Sequence, residues 1–280
     1  MKKSPKSSHT LAEVLNSKRL TLILLVTAAV LMLAIAAMLL LMPGRNQTAD
    51  LIDMYSGGTE PTKLETVPPT DPIESIEAVP GVVEPEMLPH MALLYSKNSD
   101  MVGRVTIPDT VLDYPVMYTP DDGMKYLYRN FEGKFSSAGQ PLLDTRCSVD
   151  PESMVLMIHG HNMVNGTMFK TLLSYASSSY WKNHPEIIYT TLYEERTYEI
   201  FAAFFDEVYA EEDDVFKFYE FINPQTEEEY NEGISYFKSR SKFDSGITPE
   251  FGQRLLMLVT CEYSTPNGRF VVVAREVPNE

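Results

Sequence analysis

The amino-acid sequence predicts a mostly-β domain whose strands close into a small barrel. Eight apolar runs of strand length follow one another, and several are rich in β-branched residues. These runs span residues 102–107, 114–118, 140–143, 154–158, 187–191, 196–205, 254–261 and 269–277. Only a few helical segments lie between them, and this combination is typical of a closed barrel of mostly antiparallel strands.

Three helical segments accompany the predicted strands. Residues 87–98 have apolar side chains at helical spacing and predict an N-terminal helix, and residues 167–178 predict a short helix after the fourth strand. Thr226, followed by three glutamates that end at Glu229, is a capping-box signature. It predicts a longer helix between the sixth and seventh strands.

The N-terminal part of the chain is organised differently. Residues 20–42 contain no charged side chain, and at about 1.5 Å per residue they can cross the roughly 30 Å of hydrocarbon in a bilayer. Basic residues are concentrated before this segment, so the positive-inside rule predicts a cytoplasmic N-terminus. We therefore predict a cytoplasmic segment at 1–19, an uncleaved single transmembrane anchor at 20–42, a Pro-, Glu- and Thr-rich linker at 43–86 and an extracellular domain at 87–280.

Charge and composition narrow the classes of partner and cofactor. The chain has a formal net charge of −16. Residues 1–42 hold five of the 23 basic and one of the 39 acidic side chains, which leaves 18 against 38, a formal charge near −20. Such an acidic domain disfavours nucleic acid and anionic lipid headgroups as partners. The 2 cysteines and 5 histidines show no Cys-x-x-Cys or His-x-x-x-His spacing, so we predict no metal site and no cofactor.

Three residues suited to acyl transfer stand at predicted strand ends. Cys261 closes the seventh run, Arg269 opens the eighth, and His161 follows the fourth in the segment Gly160-His161-Asn162. A thiol, an imidazole and a permanent positive charge supply a nucleophile, a proton carrier and a stabiliser of negative charge. Strand ends suit such residues, because the backbone is held rigidly while the side chain reaches solvent. The pattern therefore indicates acyl transfer through a thioester.

These motifs resemble those of the sortases, and of class B sortases in particular. Thr260-Cys261 is followed by Arg269 and a Val-rich strand, and the histidine segment continues as Asn165-Gly166-Thr167-Met168-Phe169. The resemblance implies a closed eight-stranded sortase-type β-barrel with an N-terminal helix and a long helix between strands 6 and 7. It also implies that residues 87–280 form a catalytic domain, with Cys261, His161 and Arg269 as its catalytic residues.

The resemblance further implies a membrane-anchored cysteine transpeptidase of a Gram-positive-type cell surface. Such an enzyme cleaves the C-terminal sorting motif of a secreted protein after Thr and transfers the acyl group to a peptidoglycan precursor amine or a pilin Lys. Its partners are surface proteins that bear the motif, the amine acceptor and, through the N-terminal helix, the membrane. The residues leave two alternatives open, an L,D-transpeptidase-like cell-wall enzyme and a non-catalytic anchored barrel that binds a surface partner.

Four features leave further questions open. His159 stands where relatives commonly have Tyr, and because residues two apart share a strand face, only the family motif selects His161 over it. Arg104 stands where Trp is common. Cys147 permits a disulfide with the predicted nucleophile, although we predict two free thiols because a bridge would consume that nucleophile. Asn223-Pro224-Gln225-Thr226 spells a class B sorting motif, and we interpret it as the start of a helix rather than as self-recognition.

Overall fold

The structure is a computed structural model, and it describes residues 85–278. All the described residues belong to one compact unit. The predicted cytoplasmic segment, the anchor and nearly all of the linker lie outside the described residues, and their boundaries stay predictions. Within the described range, no helix combines the length and the apolar character needed to cross a bilayer.

Eight strands form one closed barrel, which confirms the predicted fold class. They are β1 Met101–Thr106, β2 Asp113–Met117, β3 Leu142–Leu143, β4 Val155–Gly160, β5 Glu186–Thr191, β6 Glu195–Glu207, β7 Leu255–Cys261 and β8 Gly268–Val277. Their order around the barrel is β1-β2-β3-β4-β7-β8-β6-β5, and β5 pairs with β1 to close it. Each strand lies within a few residues of its predicted run; β3 is shorter than predicted and β6 is longer.

The strands β4 and β7 form a parallel pair in a barrel whose other pairings are antiparallel, except for β2 with β3. Both strands are buried over most of their length, through Ile158 in β4 and through Thr260 in β7. Burial on both faces explains why these two runs are continuously apolar instead of alternating. The last residues of each strand are only half-buried. Side chains therefore reach solvent at the C-terminal ends of two strands that are otherwise buried.

The helices decorate the barrel largely as predicted. They are α1 Pro89–Tyr95, α2 Ser178–Asn183 and α3 Glu227–Arg240, together with the 3₁₀ helices Phe169–Ala176 and Phe218–Glu220. The first helix is shorter than the predicted 87–98. The helix predicted at 167–178 is instead a 3₁₀ helix followed by the separate α2. The longest helix, α3, lies between β6 and β7 in the chain and packs against β6, where Phe237 stacks on Phe204 with ring centroids 5.7 Å apart.

The segment before α3 begins the helix, as we interpreted it. The Thr226 hydroxyl accepts a hydrogen bond from the Glu229 backbone N–H at 3.2 Å. The return bond differs from the predicted capping box, because the Glu229 carboxylate accepts from the Gln225 N–H at 2.7 Å rather than from Thr226. Asn223 accepts from the backbone N–H of Met154 at 2.8 Å. This segment therefore connects the start of α3 to the residue just before β4.

Candidate active site

The three predicted catalytic residues line one cleft of about 550 Å³. The cleft lies at the C-terminal ends of β4 and β7 and at the start of β8, and the loop between β2 and β3 forms another part of its wall. Apolar side chains supply much of the lining: Pro120, Met124, Leu127, Leu142, Leu143 and Val259. The polar lining consists of His159, His161, Cys261, Arg269, Asp144, Thr145, Thr260 and Gln140. The sequence prediction thus named residues that the fold brings together.

Cys261 and Arg269 are brought together by strand pairing. They are direct cross-strand partners in the antiparallel pair of β7 with β8, and side chains so paired lie on the same face of a sheet. The Arg269 guanidinium donates from Nη1 to the carbonyls of Asn267 at 3.1 Å and of Gly268 at 2.9 Å. Those two bonds hold the guanidinium beside β7, the strand that ends in Cys261. They leave the other N–H donors of Arg269 for a ligand.

The turn between β7 and β8 depends on Gly268. A Cβ at this position would lie 2.6 Å from the Glu262 carbonyl oxygen and 2.7 Å from Thr265 Oγ1. The Glu262 N–H donates to the Gly268 carbonyl at 2.9 Å, so the two backbones approach closely where the hairpin closes. A side chain would push them apart and would shift Arg269 relative to Cys261.

His161 reaches the cleft through the parallel pairing of β4 with β7. Gly160 pairs with Thr260, so the two residues that come next, His161 just after β4 and Cys261 at the end of β7, lie at the same end of the sheet. Two hydrogen bonds fix this junction: Thr260 Oγ1 donates to the Gly160 carbonyl at 2.8 Å, and Asn162 Nδ2 donates to the Cys261 carbonyl at 2.8 Å. Residues a hundred positions apart in sequence are thereby held side by side.

The orientation of the His161 ring follows from its partners. Its Nε2 lies 2.9 Å from the Leu127 carbonyl oxygen, and since a carbonyl only accepts, Nε2 carries the proton. The Tyr128 ring packs beside the imidazole at a centroid distance of 5.6 Å. The Nδ1 atom is thus the nitrogen left to exchange a proton. Within residues 85–278, no hydrogen bond joins His161 to Cys261.

Gly160, between the two histidines, is required for packing. A Cβ here would lie 2.5–2.8 Å from three atoms of the Phe169 ring, and Phe169 is fully buried. The Phe169 N–H also donates to the His161 carbonyl at 2.9 Å. The Phe of the motif and the Gly before His161 therefore support each other, which is a physical reason for the pattern seen in the sequence.

The two cysteines are both free and occupy different environments. Cys147 is buried, and its Sγ lies 3.4 Å from the Val155 carbonyl oxygen and 3.4 Å from the Met157 nitrogen. Burial raises the pKa of the Cys147 thiol to about 11. Cys261 is half-buried and faces the cleft. Of the two, Cys261 is the one that a substrate can reach.

The sequence analysis missed a second polar group in the cleft, the pair of Asp144 with His159. His159 Nε2 lies 2.8 Å from the Asp144 carboxylate, which also accepts from Arg146 Nε at 2.8 Å and Nη2 at 2.7 Å. Burial opposes ionisation of Asp144, but the hydrogen bonds from Arg146 and His159 outweigh it and hold the carboxyl pKa well below its usual range. The unusual residue before Gly160 was the only signal of this pair in the sequence.

Two other features of the sequence lie away from the cleft. Arg104 forms a two-pronged ion pair with Asp113, with N···O distances of 2.6 and 2.7 Å, across β1 and β2. It is not among the cleft-lining residues. The Asn223–Thr226 segment is likewise outside the lining. Within the described residues there is no cluster of three or more potential metal ligands.

Comparison with known proteins agrees with this site. A family model described as the Sortase domain matches residues 105–277. Sortase B of Listeria monocytogenes is 30% identical over 186 residues, which span 66% of this chain and 72% of that protein. Sortase B of Staphylococcus aureus is 27% identical over 189 residues, which span 67% of this chain and 74% of that protein.

Solved structures share the fold. A crystal structure of Staphylococcus aureus sortase B matches with a TM-score of 0.61 at 25% identity, covering 69% of this chain and 88% of that one. Clostridium perfringens sortase B matches with a TM-score of 0.59 at 26% identity, covering 66% and 98%. These matches and the barrel geometry do not favour the L,D-transpeptidase-like alternative or the non-catalytic alternative. The chain belongs to the sortase family, in which it is a class B sortase, a cysteine transpeptidase.

Proposed function

We propose that this protein is a membrane-anchored sortase of the cell surface that cleaves a C-terminal sorting motif of secreted proteins after Thr. It then transfers the acyl group to an amine of a cell-wall precursor or to a pilin Lys. The observation that carries the proposal is the meeting of Cys261, Arg269 and His161 in one cleft, through strand pairings that involve three strands. The proposed anchor at 20–42 and linker at 43–86 would hold this domain outside the membrane.

In the first step, Cys261 acts as the nucleophile. A free thiol is mostly protonated at neutral pH, and a protonated His161 beside it would stabilise the thiolate. Sulfur attacks the Thr carbonyl carbon to give a tetrahedral oxyanion. The C–N bond then breaks, His161 gives its proton to the departing amine, and a thioester remains on Cys261.

In the second step, the acceptor amine attacks the thioester carbonyl. The C–S bond breaks, a new amide forms, and His161 takes the proton that the amine loses while the thiolate is restored. Arg269 stays protonated throughout, so its role is to donate hydrogen bonds to the oxyanion in both steps. Losing one such donor typically costs about 2.7–4 kcal/mol of barrier.

The relatives agree with this substrate class. One matching structure is described as a Staphylococcus aureus sortase B-substrate complex, and another as a sortase B complexed with triglycine. For the present chain, we propose the corresponding classes of ligand, a sorting-motif peptide and an amine acceptor. The acidic surface of the domain leaves nucleic acid an unfavourable partner.

The test is to trap the acyl-enzyme on the full chain in detergent. The protein is incubated with a library of pentapeptides that differ at the first and third positions of an Asn-Pro-x-Thr core, and intact mass is measured with and without an added amine. We expect a peptide adduct on Cys261 that triglycine releases as a new amide. No adduct with any peptide, or an adduct on Cys147, would contradict the proposal.

A further inference from the structure

Two histidines face the same cleft, His159 in β4 and His161 just after it, and the proposed chemistry uses only His161. Each ring is held through Nε2, His161 by the Leu127 carbonyl and His159 by the Asp144 carboxylate. One nitrogen of each ring, Nδ1, is therefore the atom that can meet a substrate. The difference lies in the partner: a backbone carbonyl is neutral, whereas Asp144 carries a charge.

The Asp144–His159 pair is built rigidly into the wall. The Asp144 side chain is 8% exposed, whereas that of His159 is 36% exposed, so the carboxylate lies behind the ring and the ring faces solvent. Arg146 holds the carboxylate with Nε, Nη2 and its backbone N–H. Charge-assisted hydrogen bonds of this kind fix both the rotamer and the ring orientation. The pair therefore presents one defined imidazole edge to the cleft.

The position of His159 relative to Cys261 suits recognition rather than nucleophile activation. His159 pairs with Val259 across β4 and β7, and Cys261 is two residues further along β7. Two strand residues correspond to about 7 Å. In an extended peptide whose Thr carbonyl lies at Cys261, the adjacent residue is about 3.3 Å further along, and its side chain, which projects several Å from the backbone, covers the rest of this distance. His159 thus faces a residue beside the Thr and not the reacting carbonyl.

The charged or titratable side chains that line the cleft are mainly basic, whereas the domain as a whole is acidic. Among the described residues that line it, Asp144 is the one carboxylate, and Arg146 and His159 both pair with it. The remaining charged or titratable cations of the lining are Arg269 and His161. Residues 43–280, by contrast, have a formal charge near −20. A substrate side chain that accepts hydrogen bonds is therefore favoured inside the cleft, and a basic one is not.

We propose that His159, oriented by Asp144, is a specificity-determining residue that selects sorting peptides with an acidic or amide side chain immediately before the Thr. The inference rests on the proposed sorting-motif substrate. When the ring is charged, Nδ1–H donates to the acceptor oxygen of that side chain, and the Asp144 carboxylate balances the charge from behind. A Lys at the same substrate position would face a like charge.

Binding in the Cys261→Ala background of the full chain tests this proposal without requiring turnover. Fluorescence anisotropy at pH 6 is measured with Asn-Pro-x-Thr peptides in which x is Glu, Gln or Lys. We expect the Glu peptide to bind about tenfold more tightly than the Lys peptide, a difference of about 1.4 kcal/mol. His159→Gln and Asp144→Asn should each reduce this ratio to below about threefold.

Controls separate selectivity from folding and from catalysis. His90→Gln changes an exposed histidine outside the cleft and should keep the tenfold ratio. Equal binding of the Glu and Lys peptides to the parent, no binding of any peptide, or an unchanged ratio in His159→Gln would overturn the proposal. If His159→Gln weakened the binding of the Glu, Gln and Lys peptides by the same factor, the proposal would also be overturned. Failure of the sortase proposal would appear separately, as the lack of a thioester on Cys261.

Discussion

Cys147 and Cys261 are the same chemical group in two different parts of the sheet. Cys147 lies after β3, only 2% exposed, and its thiol contacts the backbone of β4. Cys261 ends β7, half-buried in the cleft, with Arg269 as its cross-strand partner. Burial raises the pKa of Cys147 to about 11, so its reactive thiolate form is disfavoured. The comparison shows that the position of a thiol in the sheet, and not the residue type, decides which thiol is open to solvent.

The largest expected effect comes from exchanging the two thiols for Ala. Cys261→Ala should abolish peptide cleavage while the fold is kept, because a small thiol at the cleft contributes little packing. Cys147→Ala should keep most of the turnover and lose about 1 kcal/mol of stability from the buried sulfur. Peptide cleavage assays and chemical denaturation of both variants check this. Turnover in Cys261→Ala would end the assignment of the nucleophile.

Thiol labelling compares the reactivity of the two cysteines within the same protein sample. A thiosulfonate reagent should modify Cys261 in the folded protein at least about a hundredfold faster than Cys147, because burial both shields the Cys147 thiol and raises its pKa. Peptide mapping after timed quenching gives the two rates. In denaturant without reductant, both thiols should react, since neither is predicted to be in a disulfide. Similar rates in the folded protein would remove the distinction between the two environments.

Arg269 is the feature that Cys261 has and Cys147 lacks. Arg269→Lys keeps the charge but loses the planar set of N–H donors, so we expect kcat to fall more than about tenfold. Arg275→Lys, on the same strand but paired with Glu199, is the matched control and should remain within about twofold of the parent. An Arg269→Lys enzyme as active as the parent would mean that charge alone matters, and the oxyanion role would be wrong.

Stability above pH 9 tests the environment of Cys147. Its folded pKa, about 11, exceeds the ordinary value of 9.0, so the folded state retains a proton that the unfolded state loses. The stabilisation is therefore complete below pH 9 and falls as pH rises towards 11. The parent should lose roughly 1–2 kcal/mol more than Cys147→Ala over this window. Denaturant titrations at pH 8 and pH 10.5 give the difference, and equal losses would show that the thiol is not desolvated.

The smallest effect is expected at the Asn223–Thr226 segment, which bonds to the residue just before β4, the strand that Cys147 contacts. Asn223 bonds to Met154, and the Ile222 carbonyl accepts from the Val155 N–H at 3.0 Å. Pro224→Ala with Gln225→Ala should leave cleavage kinetics within about twofold of the parent and cost about 1 kcal/mol of stability. A clear rise in activity, or self-cleavage after Thr226, would mean that this motif-like segment acts as an inhibitor.

Much of the fold could be predicted because its signals are local. The strands β4 and β7 are buried on both faces, so their apolar runs are unbroken in the sequence. The start of α3 follows from a Thr and a Glu three residues apart. Two local details differ from the prediction: the segment 167–178 has the apolar spacing of an α-helix but forms a 3₁₀ helix over Phe169–Ala176, and the Glu229 carboxylate bonds to Gln225, one residue earlier than expected.

The sequence by itself determined the class of fold and named Cys261, Arg269 and His161, because the hairpin spacing and the residues around His161 are short-range patterns. Only the tertiary structure decided which of the two histidines lies at the level of Cys261, since this depends on the parallel register of Gly160 with Thr260. It also decided the Asp144–His159 pair. That contact depends on the pairing of β3 with β4, in which Leu143 lies opposite Ile158, and a register between separate strands leaves no pattern in the sequence of either one.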